Sequence, residues 1–228
     1  FDLAHQTFEK EHGQQPFFGL VFTSSNHTPF EFPEGKIELY DQPKNTVNNA
    51  VKYADHALGE FFQKARKSNY WKDTIFLVVA DHNSRVYGSS VIPIDRFHIP
   101  GVIVGGPITK ASTVHTLASQ IDLAPTLFGL LGLDWGEPLI GRNLTNPANL
   151  QRPGRAIMQF DKVQAYMEEG AQGHSVVVLQ PDVPTKTMHF EKGQLTDAPH
   201  DPKLEEKALA HALFTKMAYS DQMHRQKP

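Results

Sequence analysis

Residues Thr74-Ile75-Phe76-Leu77-Val78-Val79-Ala80 are apolar or β-branched throughout, and Asp81-His82-Asn83 follow at once. A run this short, rich in Val and Ile, fits a strand buried on both faces, the pattern of a parallel sheet covered by helices. The strand delivers a carboxylate and an imidazole at its carboxyl end. In open α/β sheets ligands bind there, and carboxylate oxygen and neutral imidazole nitrogen both ligate divalent metals such as Zn or Mn. Helix caps and turns use the same residue types. The pair alone therefore leaves metal, catalytic and structural roles open.

A chain of 228 residues can bury one sizeable core or two small ones. Its net charge of −3 argues against a sequence-independent nucleic-acid binder, so no nucleic-acid partner is expected. No window approaches the roughly 18 apolar residues of a membrane span, and no signal peptide is visible. The chain is thus expected to be soluble. It starts at Phe1 rather than Met, which reads as a piece of something longer. Cysteine is absent, which excludes disulfides, thiolate ligands and cysteine nucleophiles.

Along the chain, Phe17 to Phe22 reads as a first strand, followed by the polar loop Thr23-Ser24-Ser25-Asn26-His27-Thr28-Pro29. Val47, Ala50, Val51, Ala54, Leu58, Phe61, Phe62 and Ala65 recur at helical spacing, and Asn45 or Thr46 can cap them. Strand, helix and the strand ending at Asp81 predict a βαβ unit. Ile99 to Gly106 is a further strand, placed near a sheet edge by Pro100 and Gly101. Thr116 to Leu131 is helical, broken into two pieces by Pro125 and closed by Gly132. Residues 155–160, 175–179 and 187–191 predict a small antiparallel sheet, and Leu204 to Gln226 an amphipathic helix. The expected fold class is α/β. A mainly parallel sheet with flanking helices occupies 1–150, and a small antiparallel sheet with a terminal helix occupies 151–228.

Three histidines fall near strand ends: His27, His82 and His98. His27 and His82 can converge if their strands are parallel neighbours, whereas His98 reaches the same edge only through the 83–98 loop. Asn26 offers a hydrogen bond or an Asx turn before Pro29. Arg85 offers bidentate pairing to phosphate or sulfate. Asp55-His56 repeats the acid–imidazole pair but falls inside a helix, where it reads as surface. Asp122, in an apolar helical stretch, reads as structural, orienting a loop or helix end. The remaining histidines, His211 among them, are assigned no role.

Four blocks occur in order: Thr23 to Phe30; Tyr53-Ala54-Asp55-His56-Ala57-Leu58-Gly59-Glu60-Phe61-Phe62; Asp73 to His82; and Gln120 to Leu133 with Gly141-Arg142-Asn143-Leu144. Together they resemble the lipoteichoic-acid-synthase branch of the sulfatase family, in the alkaline phosphatase superfamily, over roughly residues 16 to 145. The resemblance implies an alkaline-phosphatase-like fold with Asp81 and His82 as ligands of a divalent metal (Mn, Zn or Mg). It implies His27 as a substrate-site residue near the phosphoryl group, where its imidazole is the catalytic candidate; Asn26, Arg85 and His98 are substrate-site candidates on their own chemistry. It also implies phosphoester or sulfate-ester substrates, phosphoglycerol transfer from a lipid donor, and a parent protein at the extracytoplasmic face of a bacterial membrane.

The family's nucleophile, a threonine or its counterpart, and a further acidic ligand lie in the amino-terminal half. Of residues 1–16 only Thr7 carries a hydroxyl, and no buried strand precedes it. The expectation is a carboxy-terminal half that relies on its amino-terminal half for the nucleophile and is inactive alone. A true sulfatase, a phosphodiesterase and a catalytically inert α/β binding module are the alternatives.

Overall fold

The structure, a computed structural model, describes residues 1–83, 90–134 and 139–223. The chain divides into two compact units, Phe1–Val79 with Gly101–Ala111, and Ala80–Pro100 with Ser112–Pro228.

In the first unit, α1 (Asp2–Glu11) and α2 (Val47–Ala65) pack through an aromatic cluster. Phe8, Phe61, Ala65 and Tyr70 are buried, with Phe1, Phe62, Trp71 and Phe76 packed around them. Most of the rings meet edge-on or tilted, as in Phe8–Tyr70 at 5.9 Å and Phe62–Phe76 at 5.5 Å, while Trp71 and Phe76 stack, arrangements the ring quadrupole favours. Thr46 caps α2 by accepting from the Asn49 amide, one of the two caps expected. Asn49 itself is fully buried. Its Oδ1 accepts from the amides of Tyr40 and Asp41, and its Nδ2 donates to the carbonyls of Asp41 and Lys44. One helical side chain thereby satisfies four backbone groups of an otherwise irregular loop.

β1 (Ile75–Val79) and β2 (Gly101–Gly105) form a two-stranded antiparallel sheet, Ile75 opposite Gly105 and Val79 opposite Gly101. This corrects the expected mainly parallel sheet. Every strand pair among the described residues is antiparallel. A parallel neighbour needs a crossover of a dozen or more residues, usually helical. In the 80–100 connection the described residues hold only a short 3₁₀ turn, Ile94–Phe97. The expected first strand is not formed either: residues 17–22 carry no strand. Phe18, Leu20 and Phe22 are 84 %, 78 % and 77 % exposed, and without a ladder partner β-propensity alone does not make a strand.

The second unit is built on a five-stranded antiparallel meander of β3 (Arg155–Phe160), β4 (Val163–Glu169), β5 (His174–Gln180), β6 (Val183–Glu191) and β7 (Gln194–Asp197). Side chains alternate across it. Met158, Ala165, Met167, Val176, Val178 and Met188 face one core with Ile92 and Ile94. Tyr166 and Val177 face the other, against Leu204 and Ala208 of α5 (Pro202–Ser220). Both faces are covered, which explains why Val176-Val177-Val178 shows no polar alternation. The three strands expected here are present, while β4 and β7 were not anticipated. Leu213 and Met217 of α5, expected on its apolar side, are exposed, because the sheet extends under its first turns only. Residues 224–226 of the expected helix lie outside the described residues.

Residues 116–119 are not helical. A 3₁₀ turn, Gln120–Asp122, leads into α3 (Leu123–Leu131), with Pro125 in the first helical turn, where proline is tolerated. Gly132 closes α3 in the left-handed region at φ 65°, as its C-cap position predicted. A four-residue helix α4 (Pro147–Leu150) precedes β3.

Candidate functional site

Asp81 and His82 lie immediately beyond β1, in a bend. Beyond the β1–β2 ladder the Ala80 amide donates to the Pro100 carbonyl. Gln120 then holds the bend: its Nε2 donates to the carbonyls of Ala80 (3.1 Å) and Asp81 (2.7 Å). Gln120 opens one of the sequence blocks that carry the resemblance, yet its position there does not disclose which backbone it grips.

Within the bend, the His82 amide donates to Asp81 Oδ1 at 2.8 Å. The imidazole Nδ1 lies 2.9 Å from the Asn83 carbonyl, and Nε2 lies 3.3 Å from Asp81 Oδ2. A carbonyl only accepts, so Nδ1 carries the proton in this contact. In the neutral ring Nε2 then points a lone pair at a carboxylate oxygen. Both atoms then offer lone pairs that a single cation could share. The side chains are 58 % (Asp81) and 70 % (His82) exposed, so ligands can reach them.

A divalent metal fits this donor set in kind, with an anionic oxygen and an imidazole whose second nitrogen is oriented by a backbone carbonyl. In number it fits half a site. Among the described residues no group of three or more His, Asp or Glu converges as a metal cage.

The other candidates are divided between the two units. His27 belongs to the first unit, and Asp81, His82 and His98 to the second. His27 sits in a turn closed by its own amide donating to the Ser24 carbonyl and by the Phe30 amide donating back to it. Its Nδ1 lies 2.8 Å from the Thr28 carbonyl, leaving Nε2 outward. Asn26 is exposed beside it and shows no Asx turn. His98 is exposed at the end of the 3₁₀ turn Ile94–Phe97. Arg85 lies outside the described residues.

A model of the family described as Sulfatase matches residues 1–133, more than half of the chain. The chain belongs to the sulfatase family. Among curated relatives, this family member is 26 % identical over 138 residues to lipoteichoic acid synthase 1 of Bacillus subtilis, covering 53 % of this chain and 22 % of that protein. It is 28 % identical over 160 residues to the lipoteichoic acid synthase-like YvgJ of the same organism, covering 57 % and 25 %. A crystal structure of a protein in the alkaline phosphatase superfamily from Vibrio parahaemolyticus superposes with a TM-score of 0.88 at 45 % identity. That match covers 99 % of this chain and 55 % of the Vibrio chain. The sulfatase-family chain therefore spans about half of its structural relative and about a quarter of the curated ones.

A second acid–base pair of this sulfatase-family chain is structural. Asp122 and Arg155 are 0 % and 2 % exposed, and the guanidinium grips the carboxylate through Nη1 at 3.0 Å and Nη2 at 2.9 Å. The amides of Ser119 and Arg142 complete the four donors around Asp122, at 2.8 and 2.7 Å. Asp122 thus joins the start of α3, the 139–144 loop and β3, the loop-orienting role read from the sequence. Its partner Arg155 carried no sequence signal.

Proposed function

We propose that this chain is the carboxy-terminal part of a metal-dependent, sulfatase-like enzyme that transfers or hydrolyses phosphoglycerol-type phosphoesters. The single observation that carries the reading is the Asp81–His82 pair, two exposed metal donors 3.3 Å apart in a bend beyond a strand. Asp81 Oδ2 and His82 Nε2 would hold a Mn, Zn or Mg ion, which supplies Lewis-acid polarisation of a phosphoryl oxygen. His27, with Nδ1 committed to a carbonyl, has Nε2 free to accept a proton or, once charged, to donate one to a phosphate oxygen or leaving group. Asn26, Arg85 and His98 remain the proposed substrate-site residues, awaiting substitution.

The reading includes an amino-terminal portion that supplies the nucleophile and a further acidic ligand. Two observations support it: the match covers only 55 % of the Vibrio structure, and the alternating Phe18, Leu20 and Phe22 lie exposed. It further places the parent enzyme at the extracytoplasmic face of a bacterial membrane, acting on a lipid donor. That placement follows from the resemblance to the lipoteichoic-acid-synthase branch; among the described residues no helix is long and apolar enough to cross a membrane.

Calorimetric titration with Mn²⁺ of the protein with its amino-terminal portion tests the metal assignment. Binding weakened at least tenfold by Asp81→Ala and by His82→Ala is expected, and identical isotherms for wild type and both variants refute it. In the latter case the inert binding module stands. Release of glycerol phosphate against sulfate from matched esters, measured on the protein with its amino-terminal portion, separates the phosphoester enzyme from a sulfatase.

A further inference from the structure

In the second unit, a cavity of about 400 Å³ opens beside α4 and β3. Its wall includes Arg142, Arg152, Arg155, Asn146, Asn149 and His211. Among the described residues no carboxylate lines it. Arg155 is neutralised from behind by Asp122. Arg142 spends Nη1 on the Pro153 carbonyl, at 2.7 Å, and pairs with no acid among the described residues. Arg152 is exposed and likewise has no acidic partner there. Two positive charges therefore converge on the cavity with no compensating acid among the described residues.

The neighbourhood registers that imbalance. Burial, together with the charges of Arg155 and Arg152, pushes the Arg142 guanidinium below its ordinary value. Burial and then the same kind of repulsion, from Arg155 and Arg142, hold His211 below its own. His211 packs edge-on against Tyr166 with ring centroids 5.1 Å apart. Its Nε2 is buried without a hydrogen-bond partner among the described residues. An orphaned buried nitrogen is costly in a protein interior.

We propose that this cavity binds a doubly charged tetrahedral oxyanion, namely phosphate or a small phosphate monoester. Two uncompensated guanidinium groups balance two negative charges. Guanidinium forks match tetrahedral oxyanions geometrically, and the asparagine amides add neutral donors. The site is separate from Asp81 and His82, uses no metal, and stands independently of the proposed activity.

The test is calorimetric titration of the full chain with inorganic phosphate at low salt and in the presence of EDTA, which removes any metal-bridged binding. Saturable binding is expected, weakened about tenfold or more by Arg152→Gln and by Arg142→Gln. Arg96→Gln, an exposed arginine distant in sequence, should leave it unchanged. Arg152→Gln is the primary variant because its side chain is exposed and supports no other group. A thermal melt confirms that it is folded. The imidazole NMR signals of His211 should shift on saturation in wild type and not in Arg152→Gln. Absence of saturable binding, equal binding by wild type and Arg152→Gln, or equal weakening by Arg96→Gln overturns the proposal. A parallel titration with glycerol 3-phosphate distinguishes the sources: tighter binding than phosphate identifies an organic monoester, and equal binding identifies the free ion.

Discussion

Asp81–His82 and Asp122–Arg155 are the same kind of contact, a carboxylate beside a basic nitrogen at 3.3 and 2.9 Å, in opposite surroundings. The first is exposed, its acid and base adjacent in sequence, and its atoms only partly committed to the protein. The second is sealed, joins residues 33 apart, and has all four carboxylate bonds made. Exposure leaves coordination capacity free for a ligand at little cost to folding. Burial removes that freedom and makes each partner hostage to the other, since an unpaired charge in the interior is expensive. An acid–base pair is a candidate for chemistry when its valences are open, whatever its distance.

That contrast can be broken by substitution. The largest effect is expected at the sealed pair. Arg155→Ala or Asp122→Ala should each cost about 3–5 kcal/mol in denaturant unfolding, because each strands a buried partner. The double variant should cost clearly less than the two added together, and strict additivity would show that the pair is not coupled. Next comes Asn49→Ala, which orphans the amides of Tyr40 and Asp41 and should cost about 1–3 kcal/mol by the same measurement. Asp81→Ala and His82→Ala should change stability by less than about 0.5 kcal/mol, with their effect appearing in metal titration instead. A multi-kcal loss there would make the exposed pair structural too.

The smallest effect is a matter of pH. Burial pushes the Glu169 carboxyl up, but the amides of Leu117 and Gly154 and the Thr116 hydroxyl outweigh it and hold the group below its ordinary value. A lowered folded-state pKa contributes stability above the unfolded pKa, near 4.3 for Glu. That stability is lost as pH falls through the folded value. Glu169→Gln should therefore flatten the acid limb of a melting-temperature profile below about pH 4.5, and an unchanged limb would remove Glu169 from the account.

What the sequence disclosed follows the range of its signals. The β1 run, α2, the Gly132 cap and three strands of the meander were legible because periodicity and local turn chemistry act over a few residues. β4 was not: Gln164, Ala165, Met167 and Glu168 are weak strand formers, and pairing with β3 and β5 on both edges decides the outcome. The sheet orientation failed for a related reason, since partner choice is set by where the chain returns. At the candidate site the Asp81–His82 pair was legible as adjacent residues. The grip of Gln120 on its backbone, and Arg155 behind Asp122, depend on contacts 33 to 40 residues away, which no local pattern encodes.

The strand order of the second unit, in which each strand pairs with the next in sequence, bears on how the molecule is made. Hairpin-by-hairpin pairing needs only short loops to close, so the entropic toll of each step is small and formation is fast. Residues 155–197 can thus acquire their ladder with no reference to anything upstream. As the last large element before α5, they offer the growing chain a finished surface on which Ile92 and Ile94, synthesised earlier, come to rest.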